Sequence, residues 1–273
     1  MGYNYKKLRA DIDTMDTLTG VIGQSVEGRK LYYIKLGEGD TKVFLNGAHH
    51  GLEWLTSKFL MRFAKDVLKN KNGYLLGYDL ITLLNEKSIY IVPMVNPDGV
   101  ERAVCGGKPY KNVWQANARG VDLNHNYNAL WERAKALEPE NGIYGPGPTR
   151  YGGEAPESEP ESRCVADFTR ICKFDMVIAL HSQGREIFYD FEGMASGRAR
   201  DIAKSMEECS VFKLMHPTGI ASYGGYKDWF IKEFGKPGYT IEIGEGKNPL
   251  PERDLPKIYK ETLPVIMRAI SLA

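Results

Sequence analysis

Only five histidines occur in the chain, His49, His50, His125, His181 and His216, and four of them fall in loops or at strand ends. That scarcity and placement raise the question of metal chemistry. His50 and Glu53 form an H-x-x-E pair, and residues three apart share a face wherever the segment turns helically. Zinc accepts imidazole nitrogen and carboxylate oxygen, and a catalytic zinc site keeps three protein ligands and leaves the fourth position to water. His181, which closes a strand far downstream, offers a third ligand. An H-x-x-E also arises readily by chance, and a histidine ending a strand serves equally well in a structural hydrogen bond. Spacing by itself leaves both readings open.

Six segments in fixed order extend the pattern: GAHHGLEW, NPDG, GVDLNHN, ALHSQG, YGGYKDW and YTIEIG, across residues 47–244. In this order they resemble the zinc metallocarboxypeptidase family nearly from end to end. Within it the likeness is greatest to the bacterial γ-D-glutamyl-L-diamino acid endopeptidases, which open cell-wall peptides. SVEGRKLYYIKLGEG, GLEWLTSKFL, WQANARGVDLN and LHSQGREIF carry that likeness. The resemblance implies one zinc ion per chain, held by His50, Glu53 and His181, with His49 a neighbour. It makes Glu242 the catalytic carboxylate, able to take a proton from zinc-activated water and return it to the leaving amine. Glu245 is the competing base. Residues three apart on a strand face opposite sides, which favours Glu242. Asp122 matches the family position that holds the first histidine's other ring nitrogen; the alternative is a turn-capping role in its own loop.

The chain departs from the digestive members of that family in ways that bear on substrate. Their Asn-Arg pair for a terminal carboxylate corresponds here to Asn124 and His125. Imidazole lacks the permanently charged fork of a guanidinium, so grip on a free C-terminus should be weaker. Gln115 stands where those members place a transition-state arginine, which leaves Arg119 as the candidate for that role, with a structural salt bridge as its alternative. Ile220 stands where they carry a mobile tyrosine, and Tyr223 or Tyr226 is the available substitute. Lys227 falls at their specificity position, where a partly buried ammonium needs an anion. The distal carboxylate of meso-diaminopimelate would serve, and a solvated lysine at a helix start is the alternative. The implied substrate is therefore a peptidoglycan-derived peptide. The rival readings are an ordinary exocarboxypeptidase and an inactive muropeptide-binding module.

These residues need a scaffold. Apolar, β-branched runs at residues 30–37, 42–47, 88–95, 175–181 and 238–244 predict strands covered on both faces. Helical patterns cover residues 55–69, 157–171, 196–208, 226–234 and a run from about 254. The alternation predicts a three-layer α/β/α fold with a mixed, largely parallel central sheet. Ligands of such folds bind outside the carboxyl ends of strands. His49, His50, Glu53, His181 and Glu242 all fall at or just beyond such ends, and an irregular stretch over residues 96–126 is long enough to be functional.

Composition is that of a packed globular chain: 273 residues, 42% hydrophobic and 26% charged. Neither a repeat nor a linker divides it, so one catalytic domain over residues 1–273 is expected. The 36 Lys and Arg against 35 Asp and Glu leave a net charge of +1, which gives no footprint for nucleic acid or anionic membrane. Cys105, Cys164, Cys172 and Cys209 lack C-x-x-C spacing and read as isolated reduced thiols. With no signal-peptide pattern, no 18-residue apolar run and no wall-binding repeat in view, the expected location is cytoplasmic, in turnover of wall fragments.

Overall fold

A computed structural model describes residues 2–108 and 110–273. In chain order it contains α1 (Tyr5–Ile12), β1 (Leu18–Gln24), β2 (Lys30–Leu36), β3 (Thr41–Gly47), α2 (Trp54–Lys69), a small hairpin of β4 (Tyr74–Leu75) and β5 (Tyr78–Asp79), α3 (Leu80–Glu86), β6 (Lys87–Val92) and α4 (Pro97–Cys105). There follow α5 (Trp131–Leu137), α6 (Pro160–Cys172), β7 (Met176–His181), β8 (Glu186–Phe188), α7 (Gly197–Glu208), β9 (Lys213–Leu214), α8 (Tyr226–Phe234), β10 (Gly238–Glu242) and α9 (Leu255–Leu272).

Eight strands form one sheet in the order β1-β2-β6-β3-β7-β10-β8-β9. Its centre, β6, β3, β7 and β10, is parallel. β2 joins β6, and β8 joins β10, in antiparallel sense, so the sheet is mixed. The central strands are apolar nearly throughout because each face meets its own layer of helices. Val43, Leu45, Ile178 and Leu180 pack in one cluster with Phe59, Leu60 and Phe63 of α2 and Val265, Ile266 and Ile270 of α9. The intervening residues Phe44, Val177 and Ala179 pack in the other, with Val165 and Ala166 of α6 and Trp229 and Phe230 of α8. Each fully buried Phe or Leu contributes about 1.5–3 kcal/mol, which makes the sheet centre a rigid base for anything mounted on its strand ends.

Element boundaries differ from expectation where local chemistry intervenes. The strand expected over 88–95 ends at Val92, just before Pro93. Val95 and Asn96 instead donate their N–H groups to the carbonyls of Gly47 and Ala48 at 3.0 Å, fastening this segment to the end of β3. The stretch over 96–126 opens with a helix, α4: Asn96 caps it by accepting from Gly99 N at 2.8 Å, and Pro97 stands in the first turn. α6 starts at Pro160, three residues later than expected. No helix among the described residues is long and apolar enough to cross a membrane.

Candidate metal centre and cleft

β3 leads from the sheet centre straight into the first candidate ligands. Past its end, residues Gly51–Glu53 make a single 3₁₀ turn with His50 immediately before it. A side chain at position 51 would put its Cβ 2.3 Å from the backbone of Gly99 in α4, so only glycine lets this turn form against that helix. The turn folds Glu53 back onto His50, whose Nδ1 lies 2.8 Å from Glu53 Oε1. β7, hydrogen-bonded to β3, ends at His181, whose Nδ1 is 3.0 Å from Glu53 Oε2 and 3.3 Å from His50 Nδ1. Two imidazole nitrogens and a carboxylate therefore face one another across a space narrower than 4.8 Å. Asp122 holds His50 from behind, with its Oδ1 3.1 Å from Nε2. It is itself fixed by the backbone N–H groups of Asn124, at 3.1 Å, and Arg150, at 2.8 Å. His49 faces elsewhere: its Nε2 is 3.1 Å from the Tyr127 hydroxyl and its ring stacks on those of His181 and Tyr226.

The electrostatics of this cage follow from burial and pairing. Burial opposes an imidazolium at His50, but the carboxylates of Glu53 and Asp122 outweigh it and hold the group well above its usual range. Burial also opposes charge on Glu53, and His50 and His181 overcome it, drawing its pKa from 4.5 down to about 2. Asp122 is likewise held well below the carboxylate range, because the histidines beside it outweigh its burial. A donor set of this composition, with its ligand atoms turned toward one another and one imidazole fixed from behind by a carboxylate, fits a zinc ion.

The cage lies on one side of a cleft of about 450 Å³. Glu242, at the end of β10 beside His181, lines it, and burial together with the nearby charge of Glu53 pushes its carboxyl well above the usual range. β10 ends there, so Glu245 lies beyond the strand and outside the cleft, ion-paired with Arg185. Asn124, His125 and Lys227 also line the cleft. Burial, and the charge of His50 and Arg150 near it, lower the pKa of His125, which makes it a neutral imidazole and a poor anchor for an anion. Lys227 is nearly inaccessible; it pairs with Asp228 and donates to the carbonyl of Asp190 at 2.6 Å.

Two expected substrate contacts are absent. Arg119 does not line the cleft: its side chain is 57% exposed and pairs with Glu159 at 3.6 Å. Tyr226 is wholly buried, its hydroxyl 2.8 Å from Thr169 Oγ1 and its ring among Phe44, Tyr127 and Trp229. As the first residue of α8 it turns into the core, and only its backbone N–H reaches the site, donating to Asn124 Oδ1 at 3.1 Å. Tyr223 lies under Arg133, outside the cleft. Conversely, Arg150 and Glu186 line the cleft and were not anticipated. Arg150 approaches from a segment fastened to Gln115, whose N–H donates to the carbonyl of Pro148 at 2.9 Å.

A mixed sheet whose central strand ends carry this cage defines a zinc peptidase architecture, and the chain matches the profile described as zinc carboxypeptidase over residues 12–265. It belongs to that family. Among its relatives is the Gamma-D-glutamyl-L-diamino acid endopeptidase 1 of Lysinibacillus sphaericus, 34% identical over 293 residues spanning 99% of this chain and 72% of that one. Its fold is shared with thrombin activatable fibrinolysis inhibitor at a TM-score of 0.76 and 22% identity, covering 98% of this chain and 72% of the other. It is shared also with murein-tripeptide amidase MpaA from Escherichia coli O157, at a TM-score of 0.60 and 20% identity, covering 97% and 95%.

Proposed function

We propose that this chain is a zinc peptidase that hydrolyses the amide between γ-D-glutamate and a diamino acid in peptidoglycan-derived peptides. The observation that carries the chemistry is the convergence of His50, Glu53 and His181 in one cleft with Glu242. The linkage rests on the likeness to the L. sphaericus endopeptidase and on the neutral His125. In this reading His50 and His181, each through Nδ1, and Glu53 hold one zinc ion, and Asp122 keeps His50 in the ligating orientation. Zinc, when bound, supplies Lewis acidity to the scissile carbonyl and lowers the pKa of a bound water to roughly 7.

Glu242 takes the proton as the water oxygen bonds to the carbonyl carbon. As the C–N bond breaks, the same carboxyl gives that proton to the departing nitrogen, leaving a carboxylic acid that ionises and a free amine. Arg150 supplies the guanidinium that steadies the charge building on the carbonyl oxygen, a role that Arg119 is too far outside the cleft to fill. Loss of one such donor costs about 10²–10³ in kcat. Arg150→Met should fall in that range with KM little changed, and Arg150→Lys should recover part of it; steady-state kinetics of the two variants checks this.

Arg150 also favours a second reading, an exopeptidase that grips a C-terminal carboxylate. Liquid chromatography of digests of L-Ala-γ-D-Glu-meso-diaminopimelate, beside ordinary peptides with free and amidated C-termini, separates the two. Release of diaminopimelate supports the proposal. Cleavage confined to free C-termini of ordinary peptides overturns it.

The Lys227–Asp228 pair has a consequence for stability. Removing one partner of a buried ion pair costs about 3–5 kcal/mol, because the other charge stays buried alone. Lys227→Met should therefore lower unfolding stability by an amount of that order at neutral pH. Burial already pushes the Asp228 carboxyl up, and Lys227 opposes this. Without Lys227 the group is still easier to protonate folded than unfolded, so the deficit should grow as pH rises and shrink as pH falls. Urea unfolding at pH 5 and pH 8 reads it.

A further inference from the structure

Glu186 is an acid in the cleft without an evident occupation. Glu53 and Asp122 are engaged by histidines and Asp228 by Lys227. Among the described residues Glu186 has neither an ion-pair partner nor a side-chain hydrogen bond, although it is half-buried. Its direction is set by sheet geometry. β8 runs antiparallel to β10 with Glu186 opposite Glu242 and Phe188 opposite Thr240. Alternate residues of a strand share a face, and all four side chains line the cleft. Glu186 and Phe188 thus form an acidic and apolar strip alongside the catalytic carboxylate, in the cleft that Lys227 also lines.

Resting on the peptidase reading above, we propose that Glu186 is a specificity residue that binds the side-chain ammonium of the residue whose amine is released, while Phe188 packs against the methylenes leading to it. The ligand class is a diamino acid, recognised by the cation at the end of its side chain. Lysine and diaminopimelate share that group. Lys227 is already neutralised by Asp228, so the charge that the Glu186–Phe188 strip offers a substrate is the negative one of Glu186, and it selects a cation.

The test compares L-Ala-γ-D-Glu-L-Lys with its L-norleucine counterpart, which differs by the ammonium alone, for the zinc-loaded parent and for Glu186→Gln. A charge-assisted hydrogen bond is among the stronger polar contacts, and the parent's lysine-over-norleucine ratio of kcat/KM should be about tenfold or more. Glu186→Gln should collapse that ratio toward one, and Glu186→Asp should restore part of it. Equal losses on both peptides, or a displaced acid limb of the pH profile common to both, would mean that Glu186 acts only through Glu242, and the proposal falls. Calorimetric titration of the zinc-loaded chain with free L-lysine and L-norleucine reads the same preference without turnover. If neither γ-linked peptide is cleaved, the linkage reading fails by itself, and the titration still decides Glu186: tighter binding of lysine in the parent alone supports it, and equal binding overturns it.

Discussion

Glu242→Gln should keep parental zinc content and thermal midpoint while losing about 10²-fold or more in kcat, since general acid–base catalysis by a positioned side chain contributes roughly 10²–10⁴. Glutamine keeps the shape and hydrogen-bonding length of the carboxyl but can neither accept the water's proton nor deliver one to the amine. KM should change little, because the group acts mainly in the transition state. Folding should not suffer. Burial and the charge of Glu53 already penalise the ionised form of Glu242, so a neutral isostere removes a cost from the folded state. The measurement is a kinetic comparison with metal analysis of the same samples. Glu245→Gln is the control: its partner Arg185 also pairs with Glu261, so activity should stay near the parent's. An active Glu242→Gln with an inactive Glu245→Gln would reverse the assignment of the base.

The candidate residues whose placement depends on strand ends were the legible ones. An apolar run such as MVIALH fits a strand covered on both faces, and its last residue is then placed at the carboxyl end of that strand without knowledge of any contact. The strand pattern placed His181 at such an end, but it was the resemblance to the family that singled out Glu242 and turned the open H-x-x-E spacing of His50 and Glu53 into a ligand pair. Arg150 and Glu186 gave no such signal. Arg150 lies in a segment without periodicity, brought to the cleft by backbone bonds between residues 115–116 and Pro148. Glu186 belongs to a strand of three residues, too short for alternation to show. Tyr226 illustrates the opposite failure. Aligned on the glycines of YGGYKDW, it is a substitute for the family's mobile tyrosine, yet the hydroxyl has a buried partner in Thr169, contributed by a helix more than fifty residues earlier. Contacts of that range are set by packing, and one sequence does not display them.

Replacing His50, Glu53 or His181 with alanine should bring bound zinc well below one per chain and reduce turnover by about 10³-fold or more, since each change removes one of three ligands from a site that supplies both the electrophile and the nucleophile. His49→Ala should keep its zinc, although the stack on His181 and the Tyr127 contact make it less stable. Asp122→Asn should lie between, weakening zinc binding by about 10–100-fold, because it leaves the ligands and loosens the group that orients one of them. The proton balance adds a check that does not depend on activity. In the metal-free cage His50 is held protonated well above its usual range by Glu53 and Asp122, whereas a ligand nitrogen must be free of its proton. Zinc uptake near neutrality should therefore release about one proton per ion from His50, and apparent affinity should rise with pH. Calorimetry in buffers of different ionisation enthalpy counts that proton. Glu53, drawn down to about 2 from 4.5 in the metal-free protein, contributes stability that is complete above its unfolded value and lost as pH falls through that interval. Acid should thus weaken the metal-free fold and expel zinc through the same three side chains. A zinc affinity independent of pH between 5 and 8 would show that the ion is held elsewhere.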